Sequence, residues 1–157
     1  VKRNPTSIIF LFLEFLLIKP MGLTYAEIEL ISGDDLVLLR RGYIKQENVK
    51  KKTVTVLVDS GAYMLAINEE IKEELNLLKV DEQLAELADG SQVKLEIVGP
   101  VEVRFENRRA SVDGMVLPGD SEVLLGAVPL EELDVVILPG GLVVNPDSPD
   151  IAKKSLK

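Results

Sequence analysis

Hydrophobic and polar positions alternate with period two along most of this chain. Residues 24–31 set the pattern: Ala26, Ile28 and Leu30 point one way, Tyr25, Glu27 and Glu29 the other, which predicts a half-buried strand. Ser32-Gly33-Asp34-Asp35 reads as a turn into an apolar strand, Leu36-Val37-Leu38-Leu39, closed by Arg40-Arg41-Gly42. A polar link over 45–52 leads to Val54-Thr55-Val56-Leu57-Val58, a strand that stops at Asp59. Met64-Leu65-Ala66-Ile67 predicts a buried strand. One interruption of helical period follows. Asn68 has the character of an N-cap, Glu69 and Glu70 suit the positive end of a helix dipole, and Ile71, Leu75 and Leu78 share a face, so an amphipathic helix is expected over 68–78.

From Leu84 the period returns to two. Residues 84–87 and Val93, Leu95 and Ile97 predict a hairpin with Asp89-Gly90 at its tip. Gly99-Pro100 punctuates it. Val101, Val103 and Phe105 alternate with Glu102, Arg104 and Glu106, Asn107-Arg108 turns the chain, and a return strand is expected over 112–117. Pro118-Gly119-Asp120-Ser121 turns again into 122–126, and residues 130–133 predict a short helical turn. A last hairpin is expected from 134–138 and 142–144 around Pro139-Gly140-Gly141, with a loose tail beyond Asn145. Many short strands and one helix predict an all-β fold, a closed barrel or folded sheet, in one domain over 21–145, followed by a flexible tail over 146–157.

Residues 1–20 differ. Lys2 and Arg3 precede an apolar stretch, Ile8 to Leu13 and Phe15 to Ile18, in the manner of a signal peptide or anchor. Glu14 interrupts the stretch, Lys19-Pro20 follows it, and no small-x-small cleavage pattern ends it. An extension upstream of Met21 is the preferred reading, with a cytoplasmic location; secretion or membrane anchoring through 1–20 is the alternative.

Composition narrows the chemistry. With 46% hydrophobic and 28% charged residues over 157 positions, the chain has enough apolar side chains for one real core. A net charge of −8 disfavours a phosphate-tracking nucleic-acid binder. The chain has no His and no Cys, which removes Ser-His-Asp triads, thiol nucleophiles, disulfides and His/Cys zinc sites. Hydrolysis, if any, must rest on carboxylates, Lys, Tyr, Ser or a hard cation.

Against that background Asp59-Ser60-Gly61-Ala62 stands out. A carboxylate placed where an apolar strand breaks into a tight turn is held close to the core with backbone N–H groups beside it. Asp-Ser/Thr-Gly occurs nowhere else in the chain. Leu57-Val58-Asp59-Ser60-Gly61-Ala62 resembles the catalytic loop of retropepsin-like aspartic proteases. Leu124-Leu125-Gly126 matches the apolar-apolar-Gly landmark downstream in that family, and Ala88, Asp89, Gly90 and Ser91 lie where its flap tip falls. The resemblance runs over roughly 24–144, and the region 124–144 is similar to small bacterial members. It implies a homodimeric aspartic endopeptidase without metal or organic cofactor, acting on peptide or protein substrates. Asp59 would be the catalytic carboxylate, one per subunit; Ser60 would bond across to the partner loop, and Gly61 and Ala62 would permit tight packing. Leu124 and Leu125 would pack under the loop, and Gly126 would let the chain cross closely. The sequence departs from the viral pattern at Tyr63, which is larger, and at Ala127, where a polar residue often helps fix the dimer. Two other readings of the same residues are a non-catalytic peptide- or protein-binding module of this fold, and a carboxylate-metal hydrolase using Asp59 with Asp89 or Asp113.

Overall fold

The computed structural model describes residues 23–156; the expectations for 1–20 lie outside them. The strands are β1 (Thr24–Ser32), β2 (Lys51–Val58), β3 (Leu65–Asn68), β4 (Lys79–Glu86), β5 (Gln92–Phe105), β6 (Arg108–Leu117), β7 (Leu124–Leu125), β8 (Val135–Leu138) and β9 (Gly141–Val144). The helices are α1 (Gly33–Arg40), α2 (Glu69–Glu74) and α3 (Ala127–Leu133). The fold is the expected all-β, retropepsin-like one; α2 is the expected helix, α3 contains the helical turn expected over 130–133, and α1 was not expected. Among the described residues no helix is long and apolar enough to cross a membrane.

Seven strands form one sheet in the order β1-β2-β7-β3-β6-β5-β4. β1 also pairs with β5, Glu29 opposite Arg104 through Ser32 opposite Val101, so the sheet closes on itself and β4 hangs from β5 outside the ring. Closure leaves few unpaired strand edges, and the remaining edge strand, β4, carries Lys79, Asp81, Glu82 and Glu86. The ring encloses the main core, in which Leu30, Val56, Leu65, Ile67, Val98, Val101, Val103, Leu125 and Leu133 are fully buried. In β1 the alternation holds as expected: Ala26, Ile28 and Leu30 are buried, Tyr25 and Glu27 exposed.

Several elements differ from expectation. The apolar run 36–39 is helical, not extended. Ser32 accepts the Asp35 N–H at 3.2 Å, Asp34 and Asp35 occupy the first turn, and α1 forms with Leu36 buried. Residues read as a turn are thus a helix cap. α2 begins as expected, with Asn68 Oδ1 accepting the Ile71 N–H at 2.9 Å, but ends at Glu74. Asn76 takes a left-handed φ of 50°, which rotates Leu77 into the core and leaves Leu78 59% exposed. Gly99-Pro100 does not end its strand: β5 runs through it with a register shift between Val98 and Val101. Glu102, expected on the solvent face, is buried under Arg109 (2.8 Å) and Arg104 (2.6 Å). Burial alone raises its pKa, but the hydrogen bonds and charges of the two arginines prevail and hold it below the ordinary value.

The segment from Asn145, expected to be loose, bonds back to the barrel. Asp134, at the left-handed C-cap of α3, accepts from Asn145 Nδ2 (2.9 Å), Ser148 Oγ (2.5 Å) and the Lys153 N–H (2.9 Å). Buried Arg108 donates to the Ser148 carbonyl, and Asn107 Nδ2 donates to the Pro149 carbonyl at 2.8 Å.

Candidate active site

β2 delivers Asp59 to one end of the barrel. The strand is apolar to its last residue because both its faces are covered there: Leu57 and Val58 are both buried. β7, only two residues long, lies between β2 and β3. Leu57 and Val58 run parallel to Leu124 and Leu125, while Leu65 and Ala66 run antiparallel to Leu125 and Leu124. The connection 59–64 therefore straddles β7.

Backbone hydrogen bonds fix that connection from several sides. Leu57 N–H donates to the Val123 carbonyl (2.9 Å) and Asp59 N–H to the Leu125 carbonyl (3.0 Å). On the other side the Ala127 and Val128 N–H groups donate to the Ala62 and Tyr63 carbonyls at 2.8 and 3.0 Å. Within the loop, Ala62 N–H donates to the Asp59 carbonyl (3.1 Å), and Gly61 N–H donates to Asp59 Oδ1 (2.9 Å). The carboxylate is half-buried, oriented by a backbone donor, and carried on a frame with little freedom.

Gly126 is required by this frame. A Cβ there would collide with the Met64 carbonyl oxygen and come within 2.8 Å of the Ala62 carbonyl oxygen. At Gly61 a Cβ would sit 3.1 Å from Asp59 Oδ1, tight against the very atom it helps to orient. Ala62 is half-buried beneath the loop, and Ser60 is exposed at its apex. Leu125 is fully buried in the main core. Leu124 faces the other way, into a second apolar cluster.

That second cluster was not visible in the sequence. Ala66, Leu95 and Leu117 are buried together, with Ala85, Val93 and Met115 packed around them beside Leu124. It joins the strands flanking the loop to the tip-side half of the β4–β5 hairpin, where Ala85 pairs with Val93. Residues 64–67 gave no alternation to signal it, since β3 is covered on both faces. Beyond these residues the hairpin closes as expected. Leu87 N–H donates to the Ser91 carbonyl (2.8 Å), Gly90 adopts φ 84°, and Asp89 Oδ1 accepts from Ser91 N–H and Oγ at 2.9 and 2.5 Å. Ala88, Asp89, Gly90 and Ser91 are all exposed. Nearby on β1, Tyr25 faces Leu57 across the strand pair. Burial, then the charge and hydrogen bond of Glu122, push its hydroxyl pKa up.

Among the described residues no group of three or more acidic side chains converges as a metal site would need. Asp113 lies instead against Gly99, between β5 and β6. The geometry gives the carboxylate-metal reading no support.

Residues 46–132 match the model of the gag-polyprotein putative aspartyl protease family, over more than half of the chain. The chain belongs to this family. Among curated proteins none matches it. The family match spans the Asp59 loop, the β4–β5 hairpin, Leu124-Leu125-Gly126 and nearly all of α3, and it supports an aspartic-protease type of function. β1, which closes the barrel, and the β8–β9 hairpin lie outside the matched residues.

Proposed function

We propose that this aspartyl protease family member is an endopeptidase active as a homodimer, with Asp59 of each copy forming one catalytic pair. The observation that carries the reading is the frame around Asp59. A half-buried carboxylate is aimed by the Gly61 N–H and locked through Leu125 and Ala62, and the sequence contains one such loop per chain. A single loop supplies half of a two-carboxylate site, and a two-fold axis supplies the other half.

Two carboxylates at contact distance do not both ionise, so the pair shares one proton. The ionised member takes a proton from a bound water as the water oxygen attacks the scissile carbonyl carbon. The protonated member donates to the carbonyl oxygen, giving a neutral tetrahedral diol. Collapse breaks the C–N bond while a proton passes to the leaving nitrogen, and the shared proton returns to the pair. No covalent intermediate forms, in keeping with a chain that has neither His nor Cys. Ser60, exposed at the loop apex, would bond across the axis. The substrate lies extended between the β4–β5 hairpin and the carboxylate pair, held as an added strand.

Asp59→Asn keeps the size and the Gly61 contact of the side chain while removing the acid. Peptide cleavage should vanish across acidic to neutral pH, with the circular dichroism spectrum and solution mass unchanged. Cleavage at the unsubstituted rate by the purified variant would remove Asp59 from the mechanism.

A further inference from the structure

The excursion between β1 and β2 forms a small body of its own. Ile31, Leu36 and Val49 are buried together, with Leu39 and Ile44 packed against them, apart from the main core. Asp35 Oδ2 accepts the Lys50 N–H (2.9 Å), Ser32 N–H donates to the Lys50 carbonyl (3.0 Å), and Tyr43 N–H donates to the Leu38 carbonyl (2.9 Å). Residues 33–52 are thereby held as one cap on the barrel.

The charge of this cap runs against that of the chain. The whole sequence is net acidic at −8, yet the cap carries Arg40, Arg41, Lys45, Lys50, Lys51 and Lys52 against Asp34, Asp35 and Glu47. Elsewhere on the described surface most basic groups pair with carboxylates, as Lys72 does with Glu96 and Arg109 with Glu102, Lys153 being the exception. Among the described residues Arg40, Arg41, Lys45, Lys50 and Lys51 enter none of the ion pairs, and all five are exposed. Apolar surface lies among them: Tyr43 is 74% exposed, and Val37 and Leu38 project from the outer side of α1.

We propose that this cap is a docking surface for an acidic polypeptide segment bearing an aromatic or aliphatic side chain. It stands apart from the Asp59 site. β1 pairs Thr24 with Val58, beside Asp59, and reaches the cap at its other end, roughly 26 Å away for a nine-residue strand. Unpaired cations steer a polyanion and set its register, while Tyr43 and the exposed face of α1 supply contact area. A short acidic segment fits this island. A long nucleic acid or a membrane plane extends past it onto the acidic remainder of the chain, where like charge opposes binding.

The test is fluorescence anisotropy of a labelled synthetic peptide of Asp, Glu, Phe and Leu, titrated with the full chain. The same titration is run with an oligonucleotide and with phosphatidylserine vesicles. Saturable peptide binding is expected, weakening with added salt and falling on the order of tenfold in Arg40→Gln/Arg41→Gln/Lys45→Gln. A smaller loss is expected in Tyr43→Ser. All four residues are exposed, so both variants should keep the unsubstituted circular dichroism spectrum. Because the readout is binding, Asp59→Asn protein should bind as the unsubstituted chain does, and failure here is separable from failure of the protease reading. Absent binding, equal binding by the variants, or tighter binding of the oligonucleotide or vesicles than of the peptide overturns the proposal.

Discussion

Gly126 and Asp59 form one unit at the level of single residues. The acid is held because the chain crosses behind it at a distance that admits no side chain, and the crossing residue is glycine for that reason. Gly126→Ala forces a methyl group into backbone atoms that hydrogen bonds hold on both sides. It should lower stability by about 1–3 kcal/mol, the usual cost of overpacking a site that cannot relax, and should abolish cleavage. Urea denaturation followed by circular dichroism measures the first part; an unchanged midpoint contradicts the geometry described for Met64 and Ala62. Asn68 is a second residue with two tasks. Its Oδ1 caps α2, and its Nδ2 donates to the buried Ser121 carbonyl at 2.9 Å, tying the helix start to the segment that leads into β7. Asn68→Ala removes the cap and the side-chain bond to Ser121, for an expected loss of about 1–3 kcal/mol. Asn68→Asp, which keeps the cap but not the donor, should fall between the two in the same denaturation experiment.

Individual elements show what periodicity can and cannot carry. β1, the first half of β5 and the Asp89-Gly90 turn were legible because one face of each strand is wet, or because the turn needs a left-handed residue, which Gly90 supplies at φ 84°. The turn at Asp59 was legible because its signals are local: acid, small residue and glycine adjacent in sequence. α1 was not. Four consecutive apolar residues satisfy either period, and what decides is Ser32 accepting from Asp35 three positions on, a helix-start signal that also reads as a turn. The apolar cluster around Ala66 and Leu95 was hidden for a different reason. It joins β3, β4, β5, β6 and β7, whose register is set by non-local pairing such as Ala66 with both Leu124 and Met115. The segment after β9 is tied by Arg108 and Asn107 to its carbonyls and by one carboxylate, Asp134, which accepts three of its hydrogen bonds. Hydrogen bonds from Ser148, Asn145 and the Lys153 backbone hold its pKa at about 2, below the ordinary 3.8. A depressed carboxylate stabilises the fold above its unfolded value, and that contribution disappears as pH falls through the folded one. The segment should therefore release between about pH 3.8 and about pH 2. Amide exchange at residues 145–153 should rise across this window in the unsubstituted chain. In Asp134→Asn it should already be raised at neutral pH and change little with acid; identical profiles for the two proteins would remove Asp134 from this role.

Across the whole molecule, closure of the sheet through β1 and β5 gives a stiff barrel whose two ends differ. One end bears the Asp59 loop with the tip-side half of the β4–β5 hairpin packed beside it; the other bears the basic cap. A rigid body with one oriented carboxylate at its surface suits the proposed two-fold assembly, in which each copy would bring its carboxylate to the axis already oriented. Proposed as a homodimer, the protein joins catalysis to association: dilution that separates the copies should remove activity without unfolding either one. Subunit mixing tests this dependence most directly. Unsubstituted chain and Asp59→Asn chain are combined in varying ratio at fixed total concentration, allowed to exchange, and assayed on one peptide. Two acids drawn from two copies predict that activity follows the square of the unsubstituted fraction, about one quarter at an equal mixture. Activity proportional to that fraction, about one half at the same mixture, would show that each chain acts alone and would contradict the shared site.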